Sequence, residues 1–400
     1  MERIYLDHAA TTYVKPQVLE AMLPFFTGEF GNASGVYTEA RHTRAAVEKA
    51  RQQVQKALNA QRDDEIYFTS GGTESDNWAL KGFALANQQK GRHIITTNIE
   101  HHAILHTCAF LETQGFEVTY LPVNSQGLVT AEQVAGAMRP DTILVSVMFA
   151  NNEIGSIQPI AQIGRLCREK GVIFHTDAVQ AVGAVPVDVQ AMDIDMLSLS
   201  AHKFYGPKGV GALYIRKGIR LENLFHGGAQ EKGRRGSTYN HTGIVGLGRA
   251  IELATADLDG HAEKMIALRD RLLDGIQKNI PYVTVNGTMD KRLPANLNVC
   301  FRYIESESIL LHLDMKGVAA SSGSACTSGS LDPSHVLLAI GVSHGDANGS
   351  VRFTVGDENT PQQIDHVVEL LTDIVTKLRA MSPLDEAHPD TDNQEEEHVH

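Results

Sequence analysis

Apolar and polar positions follow two periods along most of this chain. Seven runs of four to seven mostly apolar residues read as buried strands: Ile66–Ser70, Ile94–Thr97, Val118–Leu121, Ile143–Phe149, Val172–His175, Met196–Leu199 and Gly211–Ile215. Several are separated by segments with apolar residues three and four apart, such as Ile160 to Lys170, which predict amphipathic helices. Strands alternating with helices at this spacing predict an α/β fold, with a mostly parallel seven-stranded sheet covered by helices on both faces. The helix after the first of these strands is expected to begin near Asn77. From Thr242 to about Ile280 the pattern is helical, with a break expected near Gly260, and a last helix is expected over Pro361–Met381. The division that follows is a large domain over residues 1–255 and a smaller C-terminal α/β domain over 256–382, which the N-terminal segment could join. An acidic tail over 383–400 completes the chain.

Composition narrows the class without naming a chemistry. With 400 residues, 42% hydrophobic and 21% charged, the chain is long enough for two cores. The longest clean apolar run, Thr142–Ala150, is far too short to span a bilayer. The first residues carry no basic stretch followed by an apolar core, so no secretory signal is read and a cytoplasmic address is expected. The net charge is −13, but residues 385–400 hold seven acidic residues and no Lys or Arg, which leaves −6 on the rest. An acidic body disfavours nucleic acid as a partner. The tail has almost nothing to bury and reads as disordered, either simply solvated or a docking segment.

Four cysteines, at 108, 167, 300 and 326, show neither CxxC nor zinc spacing. The first two fall in helical patterns and Cys300 in a strand-like one, the usual settings of packed thiols. Cys326 lies in Ser321-Ser-Gly-Ser-Ala-Cys-Thr-Ser-Gly-Ser330, too small and polar for a core, where an exposed loop thiol is the natural reading. Gly71-Gly72-Thr73, at a strand end and before a helix, offers an anion site, although a glycine pair there is also a plain tight turn. Asp177 ends the apolar strand of Val172-Ile-Phe-His-Thr-Asp, as ligand or as helix cap. Ser200-Ala-His-Lys203 leaves another strand. Pyridoxal phosphate needs a Schiff-base lysine, an acid for its ring nitrogen and a phosphate cradle. Lys203, Asp177, and the set Gly72, Thr73, Ser200 and His202 supply these in turn, if the fold brings them together. Lys208, inside Gly206-Pro-Lys-Gly209, reads as a surface lysine.

With these stretches in view, residues 1 to about 382 resemble the cysteine desulfurases of the NifS/IscS type, group I, within the class-V aminotransferase-like, fold-type-I pyridoxal-phosphate enzymes. The matching segments are Tyr5-Leu-Asp-His-Ala-Ala-Thr-Thr12, Thr69–Asn77, Glu100-His101, Asn151-Asn-Glu-Ile-Gly155, His175-Thr-Asp177, Ser200–Lys203 and the loop Ser321–Ser328 with Pro333-Ser-His-Val-Leu337 behind it. The resemblance implies that His101 stacks on the cofactor ring and helps move protons, and that Asn152 and Gln180 hydrogen-bond its phenolic oxygen. It implies that Arg352 holds the substrate carboxylate and that Thr238 reaches the neighbouring subunit's phosphate in a homodimer. It further implies that L-cysteine becomes L-alanine while its sulfur moves to Cys326 as a persulfide, for delivery to a sulfur-acceptor protein in iron–sulfur assembly or thiolation. Read on its own, Arg352 is an edge-strand arginine and His101 a surface histidine. His102 and His106 stand four apart, a metal-like spacing with no third ligand evident, so no metal is expected.

Departures from the family pattern fall at His8, Tyr37, Tyr239, His241 and Asp357. They are expected around the substrate mouth and the dimer edge, away from Lys203. Two other readings stand beside the desulfurase: a selenocysteine lyase or β-eliminase on the same scaffold, and a cofactor-binding scaffold that mainly recruits acceptor proteins.

Overall fold

The computed structural model describes residues 3–322 and 333–382; Cys326 and the acidic tail lie outside them. Seven strands form one sheet in the order Ile66–Thr69, Gly211–Ile215, Met196–Ser200, Ile173–Asp177, Thr142–Ser146, His93–Thr97, Glu117–Leu121. Only Gly211–Ile215 runs against its neighbours, so the sheet is mixed and mostly parallel, as the runs of apolar residues imply. Five of its strands are buried along their whole length and one more at all but its first residue, because helices cover both faces. The strand expected over Ile143–Phe149 ends at Ser146. Beyond it, Val147 and Phe149 still donate to the carbonyls of His175 and Asp177 as the chain turns into the site.

One core joins the sheet to the long helix Thr38–Ala57 and the helix His241–Ala254. These two helices meet closely at Gly248, where an added Cβ would stand 2.7 Å from the Cα of Ala50. The helical stretch expected over 242–280 breaks at residues 255–257 instead of near Gly260. Asp257 caps the second helix, Leu258–Asn279, by accepting the Gly260 N–H at 3.1 Å, so that glycine lies inside the first turn. A second core packs Leu258–Asn279 and the last helix, Pro361–Met381, on a four-stranded antiparallel sheet. That sheet runs Ser321–Ser322, Ser350–Thr354, Asn296–Phe301, Val283–Val285. The chain start joins this core: Ile4–Tyr5 pairs in parallel with Val318–Ala319 in a separate two-stranded sheet, and Ile4 and Leu6 are buried in the second core. Cys108 and Cys167 are buried in helices and Cys300 in a strand, the packed settings expected of them. Among the described residues no helix is long and apolar enough to cross a membrane.

Candidate active site

The strands ending at Thr69, Asp177 and Ser200 point the same way, so the residues that follow them emerge at one edge of the sheet. After the first, Gly71 takes a φ of 153°, open to glycine alone, and the helix starts at Gly72, five residues before the expected point. Poor helix formers fill this first turn because local bonds, and not propensity, hold it: the Ser75 hydroxyl donates to the Gly71 carbonyl. A Cβ at Gly72 would meet Val179 at 2.7 Å, so the cradle admits no larger residue without shifting. Asp177 accepts the Val179 N–H at 2.9 Å and so caps a turn instead of a helix. Ser200 leads into the short helical turn Ala201–Lys203. There the Lys203 ammonium donates to the carbonyls of Ala9 and Ala10 at 2.6 and 2.9 Å.

These residues share one cavity of about 380 Å³. Its walls include Gly72, Thr73, His101, Asn152, Asp177, Gln180, Ser200, His202, Lys203 and Arg352. Thr238 is exposed and outside that wall, and Lys208 is exposed as expected. Arg352 is 2% exposed on a strand paired on both sides, so it is no edge arginine. It donates from Nη1 to the Asn152 carbonyl and from Nη2 to Asp7, both at 2.9 Å, while its buried Nε has no partner. His101 caps the helix His102–Thr113 by accepting the Ala103 N–H at Nδ1, which leaves the proton of the neutral ring on Nε2. Burial, then the positive neighbours Lys203, His102 and His106, pull His101 down to about 4. His202 falls to about 4 by burial and by Lys203 and Lys208. Burial lifts Asp177 to about 6 against the Val179 N–H and Lys203, which pull it down.

Sequence reasoning passed over several groups beside this wall. Asp76 lines it three residues after Thr73, one helical turn on, which was the available signal. His175 is buried between the hydroxyls of Ser146 and Ser198, and burial alone pushes it down to about 3. Glu100 is fully buried, accepts from Thr97 and Met148, and is pushed up to about 8 by burial. A third imidazole does reach the His102–His106 pair: the His335 ring lies 4.9 Å from His102. His102 and His106 stack, however, and among the described residues no three such side chains are placed to hold a metal ion. His8 overturns the expectation that the departures lie away from Lys203. His8 lines a second cavity of about 170 Å³ that shares Ala9, Gln180 and Lys203 with the first. Asp357 pairs at its rim with Lys15 and His261.

The class-V aminotransferase model matches residues 4–367. The chain belongs to the class-V aminotransferases. It is 59% identical over 385 residues to a cysteine desulfurase IscS of Clostridium botulinum, covering 96% of this chain and 97% of that one. The IscS of Methanosarcina thermophila is 56% identical over 381 residues, 95% of this chain and 94% of the relative. Among solved structures, a NifS-like protein superposes with a TM-score of 0.89 at 38% identity, over 94% of this chain and all of its own. A structure described as SspA in complex with cysteine gives 0.79 at 40% identity, over 88% of this chain and 98% of that one. As a class-V aminotransferase with these relatives, the chain is pyridoxal-phosphate-dependent, and its cavity suits that group. The glycine-walled turn at Gly71–Gly72 has room for a phosphate, a buried carboxylate is available for the ring nitrogen, and a lysine amine lies in the same wall.

Proposed function

We propose that this chain is a cysteine desulfurase in which Lys203 carries the cofactor and Cys326 receives the sulfur. The reading rests on one observation above the others: a lysine, a buried aspartate, a histidine and a buried arginine line a single cavity in a chain 59% identical to a cysteine desulfurase. Pyridoxal phosphate supplies an electron sink for the substrate α-carbon. The protein's own groups do the rest. Gly72, Thr73, Ser200 and His202 would hold the phosphate, Asp177 the ring nitrogen, and Asn152 and Gln180 the phenolic oxygen. His101, neutral with its proton on Nε2 and in the same wall as Lys203, would pass protons. Arg352, already fixed by Asp7 and the Asn152 carbonyl, takes the substrate carboxylate. The C–S bond of cysteine breaks and an S–S bond forms on the Cys326 thiolate, which is the nucleophilic form. Cysteine and the Cys326 thiol thus become alanine and a Cys326 persulfide, with every hydrogen retained.

The same reading includes a homodimer, in which Thr238 contributes to the partner's phosphate site. Its exposure supports this, as do the exposed Leu23, Phe26, Phe30 and Val36 of one N-terminal stretch. It also includes a sulfur-acceptor protein of iron–sulfur assembly or thiolation, a cytoplasmic setting, and the division into residues 1–255 and 256–382. Separate cores support that division with the N-terminal segment joined to the smaller domain, since Ile4 and Leu6 lie in its core.

Two replacements test the chemistry. Lys203→Ala removes the yellow absorption of the purified protein, and borohydride trapping with peptide mapping labels Lys203 in the parent; label on Lys208 would refute the anchor. Cys326→Ser keeps cofactor and binds cysteine but makes no alanine. Alanine formed at a near-parental rate would remove Cys326 from the reaction.

A further inference from the structure

Asp76 is 1% exposed, lines the same cavity as Asp177, and has one carboxyl oxygen, Oδ1, with no hydrogen-bond partner. His175 Nε2 lies 3.7 Å from that oxygen, too far for a hydrogen bond, and is already turned to the Ser198 hydroxyl at 3.0 Å. Asp177 and Ser198 are register partners on adjacent strands, so the two acids flank one serine. The other charged or titratable groups around them are Glu100, pushed up to about 8 and so neutral, the neutral imidazoles of His175, His101 and His202, and the cations Lys203 and Arg352, of which Lys203 acts on Asp177.

Two buried carboxyls in such a setting do not both ionise, because the second charge meets both desolvation and the first. The donors decide which keeps the proton. Asp177 has a backbone N–H and the Lys203 charge, whereas Asp76 has a single serine hydroxyl. We infer that Asp76 is a positioning residue for Asp177: it holds the one proton of the pair, and thereby leaves Asp177 ionised for the cation that the cavity receives. The proposal rests on the reading of Asp177 as partner of the ring nitrogen. Burial, followed by the charge of Asp177, raises Asp76 well above the carboxylate range, in agreement.

The test is infrared spectroscopy of the holoenzyme labelled with carboxyl-¹³C aspartate, which moves aspartate bands away from those of Glu100. At neutral pH the parent shows the stretch of a protonated, buried aspartic acid. Asp76→Asn abolishes it, and Asp177→Asn retains it. Cofactor affinity stays within about threefold of the parent in Asp76→Asn, whose amide mimics the neutral acid, and falls at least about tenfold in Asp177→Asn. A band absent from the parent, or lost in Asp177→Asn and kept in Asp76→Asn, overturns the proposal, as does a tenfold affinity loss in Asp76→Asn. Should Asp76→Asn not fold, the parent and Asp177→Asn spectra still decide. Parental affinity in Asp177→Asn would instead refute its cofactor role, leaving the position of the proton to the spectra alone.

Discussion

Glu100 is a carboxyl with no exposed surface and one oxygen, Oε2, without a partner. Burial keeps it protonated in the folded protein up to about pH 8, while the unfolded chain releases that proton near the ordinary glutamate value of 4.5. Between those values the folded state binds more protons, so this residue makes stability fall as pH rises. Glu100→Gln supplies the neutral form permanently. It should match the parent near pH 5 and exceed it near pH 8, on the order of 1 to 4 kcal/mol by denaturant unfolding. Equal stability at both pH values would mean that Glu100 is ionised in the fold. Groups of this kind separate what was legible in the sequence from what was not. Lys203 and Asp177 announced themselves because their chemistry is written in side chains near strand ends. Asp76 and Glu100 did not, because a carboxylate in a sequence looks the same whether water or apolar walls surround it. The carbonyls of Ala9 and Ala10 that hold the Lys203 amine leave no trace in residue type at all.

Elements were legible where one period ran unbroken. Ile160–Lys170, Gly211–Ile215 and Pro361–Met381 have the expected limits, since apolar spacing and flanking Gly or Pro agree there. Limits moved where local hydrogen bonds decided, as at Gly72 and Asp257. The anchoring of the helix Thr38–Ala57 was not legible, since its partner lies far along the chain. Arg51 of that helix, 3% exposed, donates to both oxygens of Glu231 at 2.9 and 3.0 Å and to the Ile66 carbonyl, and its guanidinium stacks on Phe68. Glu231 also accepts the Phe68 N–H. Arg51→Ala strands a buried carboxylate and should cost about 3 to 5 kcal/mol, read from urea unfolding. Arg51→Ala with Glu231→Ala should cost less than the two singles added together, as coupled partners require. Strict additivity would show that the pair does not act as a unit.

At the scale of the whole molecule, the open question is how many copies complete one site. If Thr238 serves the partner's phosphate, Thr238→Glu sets a carboxylate against a dianion, and that homodimer loses cofactor. Lys203→Ala homodimers are inactive for want of the anchor. A heterodimer of the two, isolated through different affinity tags, has one site with both defects and one with neither. It should recover up to about half of the parental activity, as two independent sites related by a two-fold axis require. No recovery, with cofactor missing from both halves, would put Thr238 in its own subunit's site or outside any site.

The pairing of the chain start with the C-terminal sheet governs the order in which the protein can be finished during synthesis. The Leu6 carbonyl accepts the Thr354 N–H at 2.7 Å, and His8 contacts the Thr354 carbonyl across 346 positions of sequence. The segment around Leu6 therefore waits, without its strand partners, until the residues up to Thr354 have been synthesised. Ala9 and Ala10, which meet Lys203, are held by this late pairing. A nascent chain arrested before residue 318 contains every strand of the main sheet, yet has no fixed seat for its lysine. Cofactor capture thus waits on the C-terminal sheet.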